Sequence, residues 1–214
     1  MLQSTKTHSY LERIHTVTKP DESIAIWDEW ATTYDTDVHH SGVDYVGPQM
    51  TAQTVKDLLG DINGAILDAG CGTGLVGIAL AKIGAKTIDG IDLSRGMLDV
   101  AAKTGVYRDL SIADMTKRIE KPDESYDIVT CCGTFSSGHV GPVPGLGQLA
   151  RIAKKGGIIV CTVVDEVWVS GGYKAEVDRL ASEGVLQVLS ADNVDYWRGT
   201  DRTRKSIMVV MKRT

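Results

Sequence analysis

Glycines and strand-end aspartates are the residues of this chain whose spacing could do chemistry. Asp68-Ala69-Gly70-Cys71-Gly72-Thr73-Gly74 follows the apolar pair Ile66-Leu67 and opens onto an alanine- and leucine-rich stretch. Glycines at such a point permit positive φ and let a ligand approach the backbone closely. Counted from Gly72, the spacing of Gly72, Gly74 and Gly77 also fits a dinucleotide-binding fingerprint, with Asp92 ending the next strand pattern. Two features oppose a dinucleotide. Asp68 would put a carboxylate at the mouth of the turn, where it repels a pyrophosphate and attracts an ammonium. The fingerprint also fails when counted from Gly70, the first glycine of the turn.

These residues need a scaffold to hold them. From Ile66 onward, short β-branched runs alternate with helical patterns, which implies parallel strands joined by helices on both faces of a sheet. Strands are expected over residues 65–69, 86–91, 110–113, 126–132, 157–164, 185–190 and 206–212. Helices fit over 74–83, 94–104, 145–154 and 173–183, with Gly84 and Gly184 as stops and Ser94 as an N-cap. No room for a crossover helix remains between Ser190 and Ser206. The last two strands should therefore pair antiparallel through a loop holding Asp195, Tyr196 and Trp197. The fold class expected is α/β: a Rossmann-like, seven-stranded, mostly parallel sheet with helices on both faces and an antiparallel C-terminal strand. Residues 1–50, where Trp27, Trp30, Tyr34 and Tyr45 gather, should form a small helical cap on a domain spanning 51–214.

A length of 214 residues suits one such unit. With 23 basic and 28 acidic residues the net charge is -5, and no basic stripe runs along the sequence, which argues against a nucleic-acid partner. No apolar run reaches the roughly 20 residues that cross a bilayer. The first residues are polar and lack the apolar centre of a secretory signal, so a cytoplasmic location is expected. Cys71, Cys131, Cys132 and Cys161 fall in or beside strand patterns rather than at metal-ligand spacing, which points to buried free thiols and no metal site.

Together with three segments downstream of it, the stretch from Asp68 to Gly74 resembles the first motif of class I methyltransferases dependent on S-adenosylmethionine (SAM). Asp92-Leu93-Ser94-Arg95-Gly96-Met97-Leu98 with Ala101 is similar to their second motif, Asp114-Met115 comes after the third strand, and Ser125-Tyr126-Asp127-Ile128-Val129 opens the fourth. The resemblance implies a Rossmann-like domain, SAM as cofactor and S-adenosylhomocysteine as product. It assigns Asp68, Gly70, Cys71 and Gly72 to the methionine side and Asp92 to the ribose hydroxyls. Leu93 and Met97 would flank the adenine, the Asp114 carboxylate would accept from its amino group, and the Met115 amide would serve a ring nitrogen. Cys131 and Cys132 would offer backbone groups to the methionine part. Plainer readings stand beside these: strand-end aspartates serve as turn or cap residues, Leu93, Met97 and the cysteines can be ordinary core, and Asp114 can cap the residues after it.

Trp27-Asp28-Glu29-Trp30-Ala31-Thr32-Thr33-Tyr34-Asp35 resembles the leading segment of small-molecule methyltransferases, where a helix folds over the cofactor. Trp30 and Tyr34, four apart, share a helical face, and Tyr34 is a candidate cofactor contact. With the loop Gly133-Thr134-Phe135-Ser136-Ser137-Gly138-His139-Val140-Gly141-Pro142, the chain is similar to the Williams–Beuren-region methyltransferase-like group and to the ubiquinone and menaquinone methyltransferases. In that loop His139 is a candidate general base toward a small-molecule acceptor, and alternatively a brace of its own loop. His39 and His40 fall in the cap region, where they would be solvated or face the substrate. Methyl transfer to a small, partly apolar molecule is the function expected. The alternatives are a SAM-assisted dehydration, decarboxylation or pericyclic step, a noncatalytic binding protein, and a nicotinamide oxidoreductase.

Overall fold

The computed structural model describes residues 10, 12–14, 16–17, 20–39, 43–59, 62–199 and 204–214. The elements run α1 (Pro20–Trp30), α2 (Tyr34–Val38), β1 (Val43–Tyr45), α3 (Gly47–Leu59), β2 (Ala65–Ala69), α4 (Leu75–Lys82), β3 (Thr87–Asp92), α5 (Arg95–Lys103) and β4 (Asp109–Ile112). They continue β5 (Tyr126–Phe135), α6 (Pro142–Ile152), β6 (Ala153–Val164), α7 (Asp165–Trp168), α8 (Tyr173–Ser182), β7 (Leu186–Gly199) and β8 (Arg204–Arg213).

One sheet takes the strands in the order β1-β7-β8-β6-β5-β2-β3-β4. Pairings among β2 to β6 are parallel, β8 runs antiparallel to both β6 and β7, and β1 is antiparallel to β7. Side chains in a strand alternate between faces, so the near-continuous apolar runs of the central strands bury both sides. Ile66, Ile88, Ile128 and Val160 face Trp30, Val55 and Leu80 of α1, α3 and α4. Their neighbours Leu67, Val129, Ile159 and Val163 face Leu146, Leu149, Val177 and Leu180 of α6 and α8.

The sheet departs from the expected seven strands by the addition of β1, which comes from the segment expected to be a helical cap. The loop expected at Asp195, Tyr196 and Trp197 is strand: β7 continues to Gly199 because it finds a partner on each side, β8 and then β1. The helix expected over 145–154 starts earlier and ends at Ile152, with Ala153 and Lys154 already in β6. Helix α3 is an addition to the expected elements, and residue 50 lies inside it.

Chain order reverses direction at β2, whose neighbours are β3 on one side and β5 on the other. Open α/β sheets bind ligands at such a switch point, beyond the carboxyl ends of the strands. Here those ends are the glycine turn after β2 and the loop after β5.

Candidate functional site

The turn between β2 and α4 is shaped by what surrounds it. Gly70 has φ +73°, and a Cβ there would fall 2.1 Å from Thr134 Oγ1, so any side chain would collide with the end of β5. Gly72 has φ +53° with nothing within 4 Å of where a Cβ would sit. The backbone at Gly72 therefore offers open space on the cleft side. The N–H groups of Gly70 and Cys71 both donate to Ile91 O, at 2.8 and 2.9 Å, which fastens the turn to β3.

Asp92 ends β3 and lines the cleft. Its Oδ2 accepts from the Gly72 N–H and its Oδ1 from the Ser94 N–H, each at 2.9 Å. Burial raises its pKa; backbone donors from Ser94, Gly72 and Leu93 oppose the rise, and the nearby Asp28 carboxylate adds to it. A carboxylate has about four lone-pair sites, so two oxygens fixed in this way can still accept from a ligand's hydroxyls. Ser94 caps α5 by accepting from the Met97 N–H at 3.1 Å, and Met97 and Leu93 lie along the same wall. After β4, Asp114 and Met115 complete it. Burial works against ionisation of Asp114, but Lys117 and Thr116 outweigh it and hold the carboxyl below its usual range. Asp114 lines the cleft and at the same time caps the residues after it, accepting from the Thr116 N–H at 2.9 Å.

The cap residues close over these elements. Asp28 Oδ1 accepts from Ser94 Oγ at 2.5 Å and from the Gly96 N–H at 2.8 Å, tying α1 to the start of α5. Asp35 accepts from Thr73 Oγ1 at 2.5 Å, tying α2 to the glycine turn. Trp30 is fully buried and donates its indole N–H to Asp37 Oδ2 at 2.9 Å, so it is a packing residue. Its ring meets Tyr34 edge-on at 4.8 Å, across a turn that interrupts the expected single helix. Trp27 and Tyr34 line the cleft. Tyr45, on β1, joins them, its hydroxyl 3.6 Å from Cys132 Sγ. His139 lies in the loop after β5, with its ring 5.8 Å from that of Trp27.

Of the residues singled out in the sequence, Tyr34, Gly70, Cys71, Gly72, Asp92, Leu93, Met97, Asp114, Met115, Cys132 and His139 converge on this one cleft. Asp68 and Cys131 do not line it. Asp68 is wholly buried behind the turn rather than at its mouth. Cys131 points into the core under α6 and α8, because it lies one residue out of step with Cys132. His39 pairs with Asp44 at 3.2 Å outside the cleft, and His40 lies outside the described residues. Trp27, Tyr45, Pro48 and Thr134 also line the cleft; the sequence groups Trp27 and Tyr45 with the cap and Thr134 with the loop after β5 but singles out none of them as a cofactor contact. Among the described residues no group of three or more His, Cys, Asp or Glu could hold a metal ion, and no helix is long and apolar enough to cross a membrane.

The donor set fits SAM. An open glycine backbone, a strand-end carboxylate, an apolar wall and a second carboxylate line one cleft, groups suited to a ligand that carries an ammonium, hydroxyls and an apolar ring. Residues 66–157 match the methyltransferase domain family. Methyltransferase-like protein 27 of Homo sapiens is 31% identical over 180 residues, covering 81% of this chain and 72% of the relative. The ubiquinone biosynthesis O-methyltransferase of Coxiella burnetii is 34% identical over 136 residues, which is 61% of this chain and 55% of that protein. A TehB-like SAM-dependent methyltransferase from Corynebacterium glutamicum superposes with a TM-score of 0.65 at 20% identity, over 89% of this chain and 99% of that one. The cyclase SpnF superposes with a TM-score of 0.66 at 17% identity, over 90% and 95%; both likenesses are of fold. By its similarity to methyltransferase-like protein 27, the chain belongs to the SAM-dependent methyltransferase family.

Proposed function

We propose that this chain methylates a small, partly apolar molecule at oxygen, nitrogen or carbon, inside the cell. The observation that carries this reading is the roof of the cleft. Trp27, Tyr34, Tyr45 and Pro48 precede the matched domain in sequence, yet they enclose the same space as the glycine turn and Asp92. A roofed cleft with aromatic walls suits a small acceptor better than a macromolecule. The named roles of the Coxiella protein and of the demethylmenaquinone methyltransferase of Clavibacter sepedonicus support the same class, as does a net charge of -5 against nucleic acid. Four free, buried thiols suit a reducing compartment.

In this reading Asp92 accepts from the ribose hydroxyls, Leu93 and Met97 flank the adenine, and Asp114 with the Met115 amide binds its edge. The turn from Gly70 to Gly72, with Tyr34 and Cys132, holds the methionine part, while Asp68 and Cys131 shape the wall from behind. Bound SAM supplies a methyl group on a sulfonium leaving group. The chain's own tasks are to align the acceptor, exclude water beneath the cap and, for a hydroxyl acceptor, take the proton at His139.

Calorimetry should give micromolar or tighter dissociation constants for SAM and S-adenosylhomocysteine, about -8 kcal/mol, with no competition by NAD. Asp92→Ala should weaken both by about tenfold or more, through lost hydrogen bonds to a charged acceptor, while the protein stays folded. Incubation with pooled metabolites should accumulate S-adenosylhomocysteine in step with product. Product formed without it would assign the cleft to a non-methylating reaction instead.

A further inference from the structure

Behind the cleft wall lies a second polar assembly built around Asp68. Tyr107, in the connection from α5 to β4, donates its hydroxyl to Asp68 Oδ2 at 2.7 Å. Thr130 of β5 donates to Oδ1 at 3.2 Å, and the nearby Gly77 backbone on α4 favours the ionised form of both groups. The path of the tyrosine ring is cleared by glycines on three different elements. A Cβ at Gly77 would fall 2.3 Å from Tyr107 Oη; at Gly74 it would be 3.0 Å from Cε2, and at Gly90 3.0 Å from Cε1. A turn, a helix and a strand thus all lack a side chain where this one phenol crosses them.

The same turn is tethered on its other sides by Asp92 at Gly72, by Asp35 at Thr73 and by Ile91 O at Gly70 and Cys71. From behind, the tether is Tyr107 and Asp68. We propose that Tyr107 is a positioning residue for cofactor binding, which by donating to Asp68 and filling the glycine channel holds the turn in the shape that leaves Gly72 open to the cleft. This rests on the reading of that turn as the cofactor's seat.

The pair also predicts a pH signature. Burial pushes Asp68 up to about 6, while Tyr107 and Thr130 hold it down and Asp92 adds to the rise. The titratable groups near enough to feel its charge are Tyr107, Cys71 from the turn, Asp92 from β3, Cys132 on the same face of β5 and Cys131 on the opposite face, while α4 contributes the Gly77 backbone. Burial raises the three thiols above their usual range and raises Asp92 as well, so of these groups Asp68 is the one placed to gain a proton as pH falls to about 6. Tyr107→Phe keeps the ring and removes the donor that favours the carboxylate, so Asp68 should take its proton at a higher pH.

The test is calorimetric titration with S-adenosylhomocysteine from pH 5.5 to 8, for wild type, Tyr107→Phe, Asp68→Asn and the double variant. At pH 7.5 Tyr107→Phe should bind about tenfold more weakly, as for a hydrogen bond lost to a charged group, and its loss of affinity on acidification should begin at higher pH. In the Asp68→Asn background the same change should leave the pH curve where it is. A folded Tyr107→Phe protein with wild-type affinity and pH curve, and only a lower melting temperature, would make Tyr107 a packing residue and overturn the proposal alone. Wild type that does not bind S-adenosylhomocysteine overturns the cofactor reading together with the proposal. Should Tyr107→Phe fail to fold, wild type against Asp68→Asn carries the test, and coincident pH curves refute it.

Discussion

His139 sits where a glycine-rich loop leaves β5, half-buried beside Trp27 and on the same cleft as Asp92. If the acceptor is a hydroxyl, His139→Ala should cut turnover by roughly 10²–10⁴ with little change in SAM affinity, and raised pH should restore part of the loss. Turnover per folded molecule that stays near wild type would leave the histidine as a brace of its loop. Single residues are the most legible level of this site, since Gly72 and Asp92 announce themselves by type and spacing. Asp68 shows where that stops. Its acidic character beside the first glycine is plain, but its direction comes from alternation: it shares a face with Ile66, whose side chain is buried under α4. Tyr107 carries no motif at all. Its partner lies 39 positions away, and only the folded chain shows that Gly74, Gly77 and Gly90 make one channel.

At the level of elements, α1 is held to the start of α5 by Asp28, which shares the Ser94 hydroxyl and takes the Gly96 amide. A carboxylate near a helix N-terminus, with two donors, contributes on the order of 1 kcal/mol. Asp28→Ala should therefore speed amide hydrogen exchange in α1 while α5 keeps its protection, and weaken SAM a few-fold through the loosened roof. Unchanged exchange in α1 would mean that aromatic packing of Trp27 and Trp30 alone seats the cap. Helices and strands from β2 to β6 are legible within a few residues because Ser94, Gly84 and the apolar runs mark them locally. Helix α3 is not, since Gly47-Pro48 reads as a turn until its buried face of Thr51, Ala52 and Val55 is seen against α4.

The whole molecule is closed by a pairing no local pattern could disclose, Tyr45 opposite Trp197. Strand β1 covers the edge of β7, and open edges invite pairing with other chains. Deleting residues 1–46 should leave a protein whose apparent mass rises with concentration in light scattering, whereas the full chain stays constant over the same range. A truncated protein that scatters like the full chain would show that β7 protects its own edge. The same pairing sets an order of events during synthesis. Strand β1 leaves the ribosome about 150 residues before its partner, so the join waits on closure of a loop that holds about 70% of the 214 residues. Until then Tyr45 lacks its strand partner, and a nascent chain whose glycine turn has already formed presents any cofactor it meets with a site whose roof is not yet fastened.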